Sequence, residues 1–429
     1  MIRVPADVRQ RFAEAKKCRR PTAIDLFCGA GGLSLGFEQA GFDVVGAVDL
    51  DPVHCAVHQY NFPKTPVFSA SVSTVDPETI LAACGVSPGQ LDVVFGGPPC
   101  QGFSFMGRRN HDDARNTLVF SFLRFVQAAR PRYFVMENVP GMLAGSAREY
   151  VDLLVSEAEA SGYTVVQPIR VLKALDFGVP QDRRRVFVLG YRRDSVPVVY
   201  PKATHVHSLS TVVPKFGSIL PRTPTVFDAI GDLPDIDGFE SLIDSDRLPM
   251  AVQYRHDHGT LAAYRRESDP RLSGCMRSNH SEQSRRRFAE TEEGTVEPVS
   301  RFFKLAWAGY CNTLRAGTGT DRGAFTSPRP IHPAFARCIS VREAARLHGY
   351  PDWFSFHVTK WHGFRQIGNS VPPPLGRAVA SAVVSALGLA PRLASGSIDS
   401  GDESLRQMTV SSASELLGLA DEDRPKRTR

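Results

Sequence analysis

The chain has 429 residues, 42% hydrophobic and 22% charged, with a formal net charge of +6; at ~150 residues per domain this leaves room for two or three globular domains. None of its 8 cysteines forms a C-x-x-C pair, which argues against a zinc ribbon or redox dithiol. No apolar run nears the ~18 residues of a membrane span, and the charges at Arg3, Asp7 and Arg9 leave no secretory core, so no membrane partner, a reducing cytoplasm and mild attraction to polyanions are expected.

Residues 1–20 are polar and basic and read as a flexible lead-in. From there short apolar runs alternate with helical stretches. Residues 22–27, 44–49, 91–95, 133–136 and 186–189 read as strands. Residues 33–40, a segment opening at Pro52, and 147–160 read as helices, with Tyr150, Leu153, Leu154 and Ala158 on one face of the last. The alternation predicts an α/β fold with a mostly parallel sheet covered on both faces. Residues 192–336 break the rhythm: rich in proline, glycine, serine and charge, they read as an inserted, irregular, smaller domain. Regular structure returns at 341–348, and three prolines introduce a helix over 374–387. From 390 to 429 the composition is that of a disordered tail with one short helix near 414–420.

The run Ile24-Asp25-Leu26-Phe27-Cys28-Gly29-Ala30-Gly31-Gly32 passes from strand through turn into helix, where glycines let a ligand approach the backbone. Asp49, at the end of the next strand, is placed to accept ribose hydroxyls. Position 34 is Ser where the dinucleotide fingerprint needs a third glycine, and no Gly-Lys-Ser/Thr follows. S-adenosylmethionine, with ribose and adenine but no phosphate, suits such a loop, and Phe27 could stack on its adenine. A plain strand-to-helix turn is the alternative.

Residues 96–104, Gly-Gly-Pro-Pro-Cys-Gln-Gly-Phe-Ser, follow the strand at 91–95 and hold the Cys100 thiol at the mouth of the sheet. A free thiol titrates at about 8.5, so a nucleophile there needs local activation. Cys18, Cys55 and Cys84 read as structural thiols. Glu137-Asn138 ends another apolar run, and Arg183 and Arg185 share a face if extended. Taken alone, Glu137 reads equally as a turn carboxylate and the arginines as a solvated charge run.

In chain order, Phe27 to Gly32, Asp49, Pro99-Cys100-Gln101, Arg115-Asn116-Thr117-Leu118, Glu137-Asn138-Val139, Gln181 to Arg185, Arg337 to Leu347 and Gln366 to Pro372 resemble the ordered motifs of bacterial cytosine-5 DNA methyltransferases of type II restriction-modification systems. The resemblance covers roughly 22–192 and 337–385. It implies a Rossmann-like S-adenosylmethionine-dependent methyltransferase sheet built from 21–191 and 337–389, around a target-recognition domain at 192–336. It implies that Cys100 adds to carbon 6 of a flipped cytosine and that Glu137 donates a proton to N3. Of Arg183 and Arg185, one would lie near the ring carbonyl and the other near Cys100 and the DNA backbone. The cofactor contacts it implies are Phe27, Gly29, Gly31, Gly32, Leu33, Asp49, Leu50, Pro99, Leu118, Asn369 and Ser370. Ser71, which can accept one hydrogen bond as a neutral group, is a further cofactor contact where the family usually offers an acid near the adenine amine. Arg342, Glu343 and Arg346 would brace the two domains. Arg315 and Arg322 are candidates for guanine or phosphate contacts.

No metal is expected: His54 and His58, or His256 and His258, lack a third ligand. The implied partners are double-stranded DNA and a restriction endonuclease that need not touch the chain, which would act as a monomer in the bacterial cytoplasm, nucleoid-associated when bound to DNA. Three competing readings are a tRNA cytosine-5 methyltransferase, a nicotinamide-dependent oxidoreductase and a catalytically silent DNA-binding protein.

Overall fold

A computed structural model describes residues 18–99, 117–145, 147–209, 220–250, 264–266, 271–317, 329–391 and 397–418. Cys100, Arg115, Asn116, His256, His258, Arg322 and the lead-in before Cys18 lie outside the described residues, as do 419–429.

The first half of the chain winds one sheet. In order come β1 (Thr22–Leu26), α1 (Gly32–Gln39), β2 (Asp43–Asp49), α2 (Pro52–Asn61), β3 (Val67–Ser69), α3 (Pro77–Ala83), β4 (Val93–Gly96), α4 (Thr117–Ala129), β5 (Tyr133–Asn138), α5 (Ala147–Ala160), β6 (Tyr163–Val165), β7 (Arg170–Lys173) and β8 (Arg184–Arg192). The strands lie in the order β3-β2-β1-β4-β5-β8-β6, and β7 also pairs with β8. Strands β1 to β5 are parallel; β8 runs antiparallel to β5, β6 and β7. The continuous apolar runs explain the burial. Val93, Val94 and Phe95 are all without exposure, as strands covered on both faces must be.

One face packs Ile24, Val94 and Met136 against Phe122, Val126 and Leu154. The other packs Phe37, Val93 and Phe95 against Leu375 and Val379. These last belong to α10 (Pro373–Ala386), so the end of the chain closes on its beginning. The strand order reverses at β1/β4, and the crevice at such a reversal is where α/β sheets take ligands. The loops after β1 and β4 flank it.

Among the described residues of 193–340 the regular pieces are short: α6 (Val226–Ile230), β9 (Tyr264–Arg266) and α7 (Glu282–Glu290), besides single 3-10 turns. Two of the three arginines in 285–287 are used internally, Arg285 on Asp237 at 2.7 Å and Arg287 on Glu297 at 3.3 Å. Beyond them lie α8 (Val341–Leu347), α9 (Lys360–Asn369), α10, β10 (Ser397–Asp399) and α11 (Val410–Leu416).

Two expectations are corrected. Helix α5 buries Ala147, Val151, Leu154 and Ala158, while Leu153 is 48% exposed. Small residues at the right period outweigh a large one out of phase. The tail is folded over 397–418: Leu405 and Ala413 pack on Val53, Ala56 and Tyr60, and the helix falls at Val410–Leu416 rather than at 414–420. Its few apolar residues suffice because α2 supplies the rest of the cluster.

Arg342, Glu343 and Arg346 all face inward. Glu343 closes a capping box with Ser340 and takes both ends of the Arg337 guanidinium at 2.9 Å. Arg346 grips Asp352 at 2.8 and 2.7 Å and Asp232 at 2.7 Å. Arg342 donates to Ser273 O and Phe354 O at 2.8 and 2.9 Å. Burial pushes the Glu343 carboxyl up, but the Arg337 guanidinium, His332 and the Ser340 N–H outweigh it and hold it down at about 2, against an ordinary 4.5. The stabilisation this represents is complete above pH 4.5 and is lost as pH falls towards about 2. Glu343→Gln should cost about 3 kcal/mol, because buried Arg337 loses its close two-pronged carboxylate and keeps only the more distant Asp235 at 3.5 Å as a charged partner. Denaturant melts from neutral to acid pH should show that deficit shrinking across the same window.

Candidate active site

The loop after β1 is shaped by left-handed backbone. Phe27, Gly29 and Gly31 have φ of 61°, 54° and 101°; the first is costly for a residue with a side chain. The Asp49 carboxylate, at the end of β2, buckles this loop to the next. One oxygen accepts the Gly29 N–H at 2.9 Å and the other the Asp51 N–H at 2.8 Å. Burial pushes its carboxyl up. Each oxygen keeps a further lone pair.

The glycines are not equivalent. A Cβ on Gly29 would meet nothing within 4 Å, so this position opens onto free space. On Gly31 it would lie 2.4 Å from the Phe62 ring, and on Gly32 2.4 Å from Tyr350 Oη and 2.8 Å from Val371 O. Gly31 and Gly32 thus let other parts of the protein come close. Beside the open position stand half-buried Phe27 and Leu50, the latter 45% exposed. Leu33 departs from expectation: its side chain lies in the core with Val371 and Leu375, leaving only its backbone to any ligand. Ser71 shares a hydrogen bond with Ser73 at 2.7 Å. Pro99 is exposed and Leu118 half-buried. Asn369 is exposed at the end of α9, while Ser370 Oγ donates to Ile367 O at 2.8 Å and meets His348 Nε2 at 3.1 Å.

Glu137 stands one residue before the end of β5, and its carboxylate pairs with Arg185 Nε at 2.7 Å. The antiparallel register opposes Glu137 to Phe187, which puts Arg185, two residues earlier, on the same face. Burial pushes the Glu137 carboxyl above its ordinary range; Arg185 and Arg183 pull it down without cancelling that rise. Gly97 lies against the same group: a Cβ there would sit 2.8 Å from Glu137 Oε2. Asn138 Nδ2 donates to Pro98 O at 3.2 Å. The chain leading into Cys100 is therefore tied to the end of β5. Asn138 has a definable task that its place beside Glu137 in the sequence only hinted at.

Arg183 is placed otherwise than expected. It has no exposed surface, and its terminal nitrogens donate to Leu314 O, Gly368 O and Ser370 O at 2.7, 2.7 and 2.8 Å. A guanidinium so engaged is not available to a substrate ring, so Arg183 is a positioning residue. Gln181 works beside it, taking the Leu314 N–H at 3.1 Å and meeting His348 Nδ1 at 3.0 Å. Sequence reasoning missed His348 and Tyr350, since neither lies in a spacing that marks chemistry. Among the described residues no His/Cys/Asp/Glu group could hold a metal ion, and no helix is long and apolar enough to cross a membrane.

A Rossmann-like sheet with an open glycine turn at its switch point, and a buried acid–arginine pair beside Gly97 and Pro98, is the arrangement of an α/β enzyme with its site at the strand ends. The profile of the C-5 cytosine-specific DNA methylases matches residues 22–385, and the chain belongs to that family. Type II methyltransferase M.XorII of Xanthomonas oryzae pv. oryzae is 48% identical over 96% of this chain and 95% of its own length. The solved structure of a DNA modification methyltransferase encoded within an E. coli prophage has a TM-score of 0.65 and 32% identity, covering 86% of this chain and 99% of that one. S. pombe Dnmt2 matches at a TM-score of 0.55 and 16% identity over 86% of this chain and 99% of its own, a likeness of fold.

Gly97→Ala tests the close approach at Glu137. A Cβ there displaces the end of a flexible side chain, so stability should change by under about 1 kcal/mol. Turnover should fall by about 10²-fold, the usual penalty for ångström-scale misplacement of a reacting group. Thermal melts and steady-state rates on the same preparation would check both.

Proposed function

We propose that this enzyme methylates carbon 5 of a cytosine flipped out of a specific duplex sequence, drawing the methyl group from S-adenosylmethionine. The observation that carries the reading is the clamp of Gly97 and Pro98 on Glu137 and Asn138, which fastens the approach to Cys100 beside a carboxyl with a raised pKa. The tRNA reading is not favoured: the matching profile is one of DNA methylases, and the relatives matching at 48% and 34% identity are Type II methyltransferases.

The residues present fit the cofactor. Gly29 opens onto free space, Asp49 keeps lone pairs for ribose hydroxyls, and Phe27 and Leu50 offer apolar surface to adenine. When bound, S-adenosylmethionine supplies a methyl group on a sulfonium sulfur, electrophilic enough to be taken by carbon. Of the sequence-expected contacts, Gly31, Gly32 and Leu33 act through backbone and packing, and Ser370 borders the loop at Gly32 from the far end of the chain.

Cytosine carbon 5 is too weak a nucleophile to react unaided. The Cys100 thiolate adds to carbon 6 while Glu137 gives its proton to N3, so no charge is stranded on the ring. The electron pair left at carbon 5 would then form the bond to the methyl carbon as that carbon's bond to the sulfonium sulfur breaks, the electrons of the broken bond staying on sulfur as a neutral thioether. A base then removes the carbon 5 proton, the carbon 6–sulfur bond breaks with its electrons returning to Cys100, and the N3 proton returns to Glu137. Arg185 holds the carboxyl in place and limits how far burial raises its pKa. Arg183 keeps the strand start, the Leu314 turn and the Ser370 turn in register behind it.

Flipping a base costs a few kcal/mol, and residues 192–336 supply the contacts that offset it. Arg315 supports this: it is exposed and follows Leu314, whose carbonyl Arg183 grips. As with its Type II relatives, the product would shield DNA from a restriction endonuclease reading the same site, with one chain acting alone.

Duplex DNA carrying 5-fluorocytosine blocks the final proton loss. It should accumulate a cofactor-dependent crosslink at residue 100, and Cys100→Ser should show none. No crosslink on DNA that is demonstrably bound would sink the mechanism. Glu137→Gln, unable to cycle the proton, should lose about 10²–10⁴-fold in turnover with cofactor affinity unchanged. In the parent enzyme the rate should fall as pH rises through the raised Glu137 pKa. Arg185→Ala, by removing the cation that favours the carboxylate, should move that descending limb to higher pH.

A further inference from the structure

We propose that the C-terminal segment 397–418 is a working part of the DNA-reading unit, with Arg406 as the positioning residue that sets this unit against the catalytic sheet; the proposal rests on residues 192–336 being the recognition domain.

Arg406 has no exposed surface. Its Nε donates to Phe356 O at 3.0 Å, and its two terminal nitrogens pair with Asp246 and Glu403. Both acids lead onward. Asp246 takes the Gly274 N–H on its carboxylate at 3.2 Å and the Cys275 N–H on its backbone carbonyl at 2.8 Å. Glu403 accepts Arg247 Nη2 at 3.0 Å on each oxygen. One tail residue therefore fixes two separate stretches of the recognition unit, 246–247 and 274–275. The main chain of Arg406 also accepts the Val358 N–H at 3.0 Å, joining both to the segment between α8 and α9.

The same tail reaches the cofactor side. Leu405 and Ala413 complete a cluster with Val53, Ala56 and Tyr60 of α2, and Gly401 N–H donates to Tyr60 O at 2.8 Å. Helix α2 begins at Pro52, capped by Asp51, whose N–H the Asp49 carboxylate holds. Strand β10 then pairs in parallel with β9, Ser397 to Asp399 against Tyr264 to Arg266. A two-stranded ladder of three residues cannot stand alone in water, so β9 takes its place from whatever anchors β10. That anchor is the Gly401–Tyr60 bond together with the Arg406 node. A buried guanidinium between two carboxylates cannot slide without leaving charge unpaired, so the node fixes position as well as proximity.

The test uses the full-length enzyme and the duplex site that bisulfite sequencing of DNA from expressing cells identifies. Arg406→Lys keeps the charge but loses the three-way fork; Arg406→Ala removes both. Arg315→Ala, at a residue outside 397–418, reports on the recognition domain separately. For each, kcat and KM for DNA are measured on the site and on a site with one base pair changed, together with cofactor affinity. Arg406→Ala should raise KM for DNA by about tenfold or more and erode discrimination between the two sites. Its cofactor affinity should stay within about twofold, and Arg406→Lys should lie between it and the parent. Should Arg406→Ala not fold, Arg406→Lys carries the comparison. Hydrogen exchange adds a direct reading: the Gly274 and Cys275 amides should exchange faster in the lysine variant while those of β1 to β5 do not. Unchanged KM and discrimination, or a fall in kcat alone, with Arg315→Ala still shifting KM, would overturn the tail's role and leave the recognition domain standing. If Arg315→Ala and both Arg406 variants are all without effect on DNA kinetics, the recognition-domain assignment fails and the tail's role falls with it.

Discussion

A single guanidinium organises the catalytic end of this protein. Arg183 is buried completely, and a buried charge is tolerated only where hydrogen bonds replace water. Its partners are carbonyls of residues 314, 368 and 370, which lie 131 to 187 positions further along the chain. Two distant turns, at 314 and at 368–370, must therefore meet at the start of β8. Gly368 makes the meeting possible, since a Cβ there would lie 2.3 Å from Ala316 N. Once the point is fixed, much else follows from short-range geometry. Arg185 projects on the same side of β8 two residues on and reaches Glu137. Ser370 and Val371 come down on Gly32. Gln181 and His348 fill the space between. Burial holds the His348 imidazole well below its ordinary pKa, with Arg183 and Arg185 adding to that effect, so a neutral ring sits beside the guanidinium, its Nε2 3.2 Å from the Ser370 carbonyl that Arg183 also takes.

Much of the sheet was legible in the sequence because its strands are apolar on both faces and its turns carry glycine or proline. Strands β1, β2, β4 and β5 and helices α1, α2, α5 and α10 lie within a few residues of where patterning puts them. Legibility failed where a residue's role depends on a partner remote in sequence. Nothing local distinguishes Arg183, sealed against carbonyls, from Arg185, paired with an acid; both belong to one basic tripeptide. The tail failed for a similar reason. Its composition resembles a disordered chain, yet a half-dozen apolar and charged residues are enough when α2 and Asp246 complete their surroundings. Leu153 erred in the opposite direction, because size was weighed above phase.

The site residues divide along the same line. The positions of Asp49 and Glu137 were legible because one ends an apolar strand and the other stands one residue before the end of another, where ligands of α/β sheets usually lie. Asn138, His348 and Tyr350 were not, because their contribution is to hold backbone or fill space rather than to react. Gly97 sat in plain view among other loop glycines. Only the distance to Glu137 Oε2 shows that it makes room for a carboxylate, while Gly29 keeps open space and Gly32 admits Tyr350 and Val371.

The interlock of chain start and chain end explains how so irregular an insertion is tolerated between β8 and α8. Helices α1 and α10 approach until a Cβ on Gly36 would meet Arg377 N at 2.6 Å and Pro373 O at 2.8 Å. The ends of the insertion are pinned by Gln181 and Arg183 on one side and by the Arg337–Glu343 pair on the other. A segment closed at both ends pays an entropy that grows only as the logarithm of its length, about 0.6 kcal/mol per doubling. Length and sequence between the pins can therefore vary at little cost to the sheet, provided the carbonyls at 314, 368 and 370 still reach Arg183. The surface of the insertion can change while the sheet and the strand ends beneath it keep their geometry. The physical limit on such change is whether each new insertion still delivers a turn like that at Leu314 to the same guanidinium.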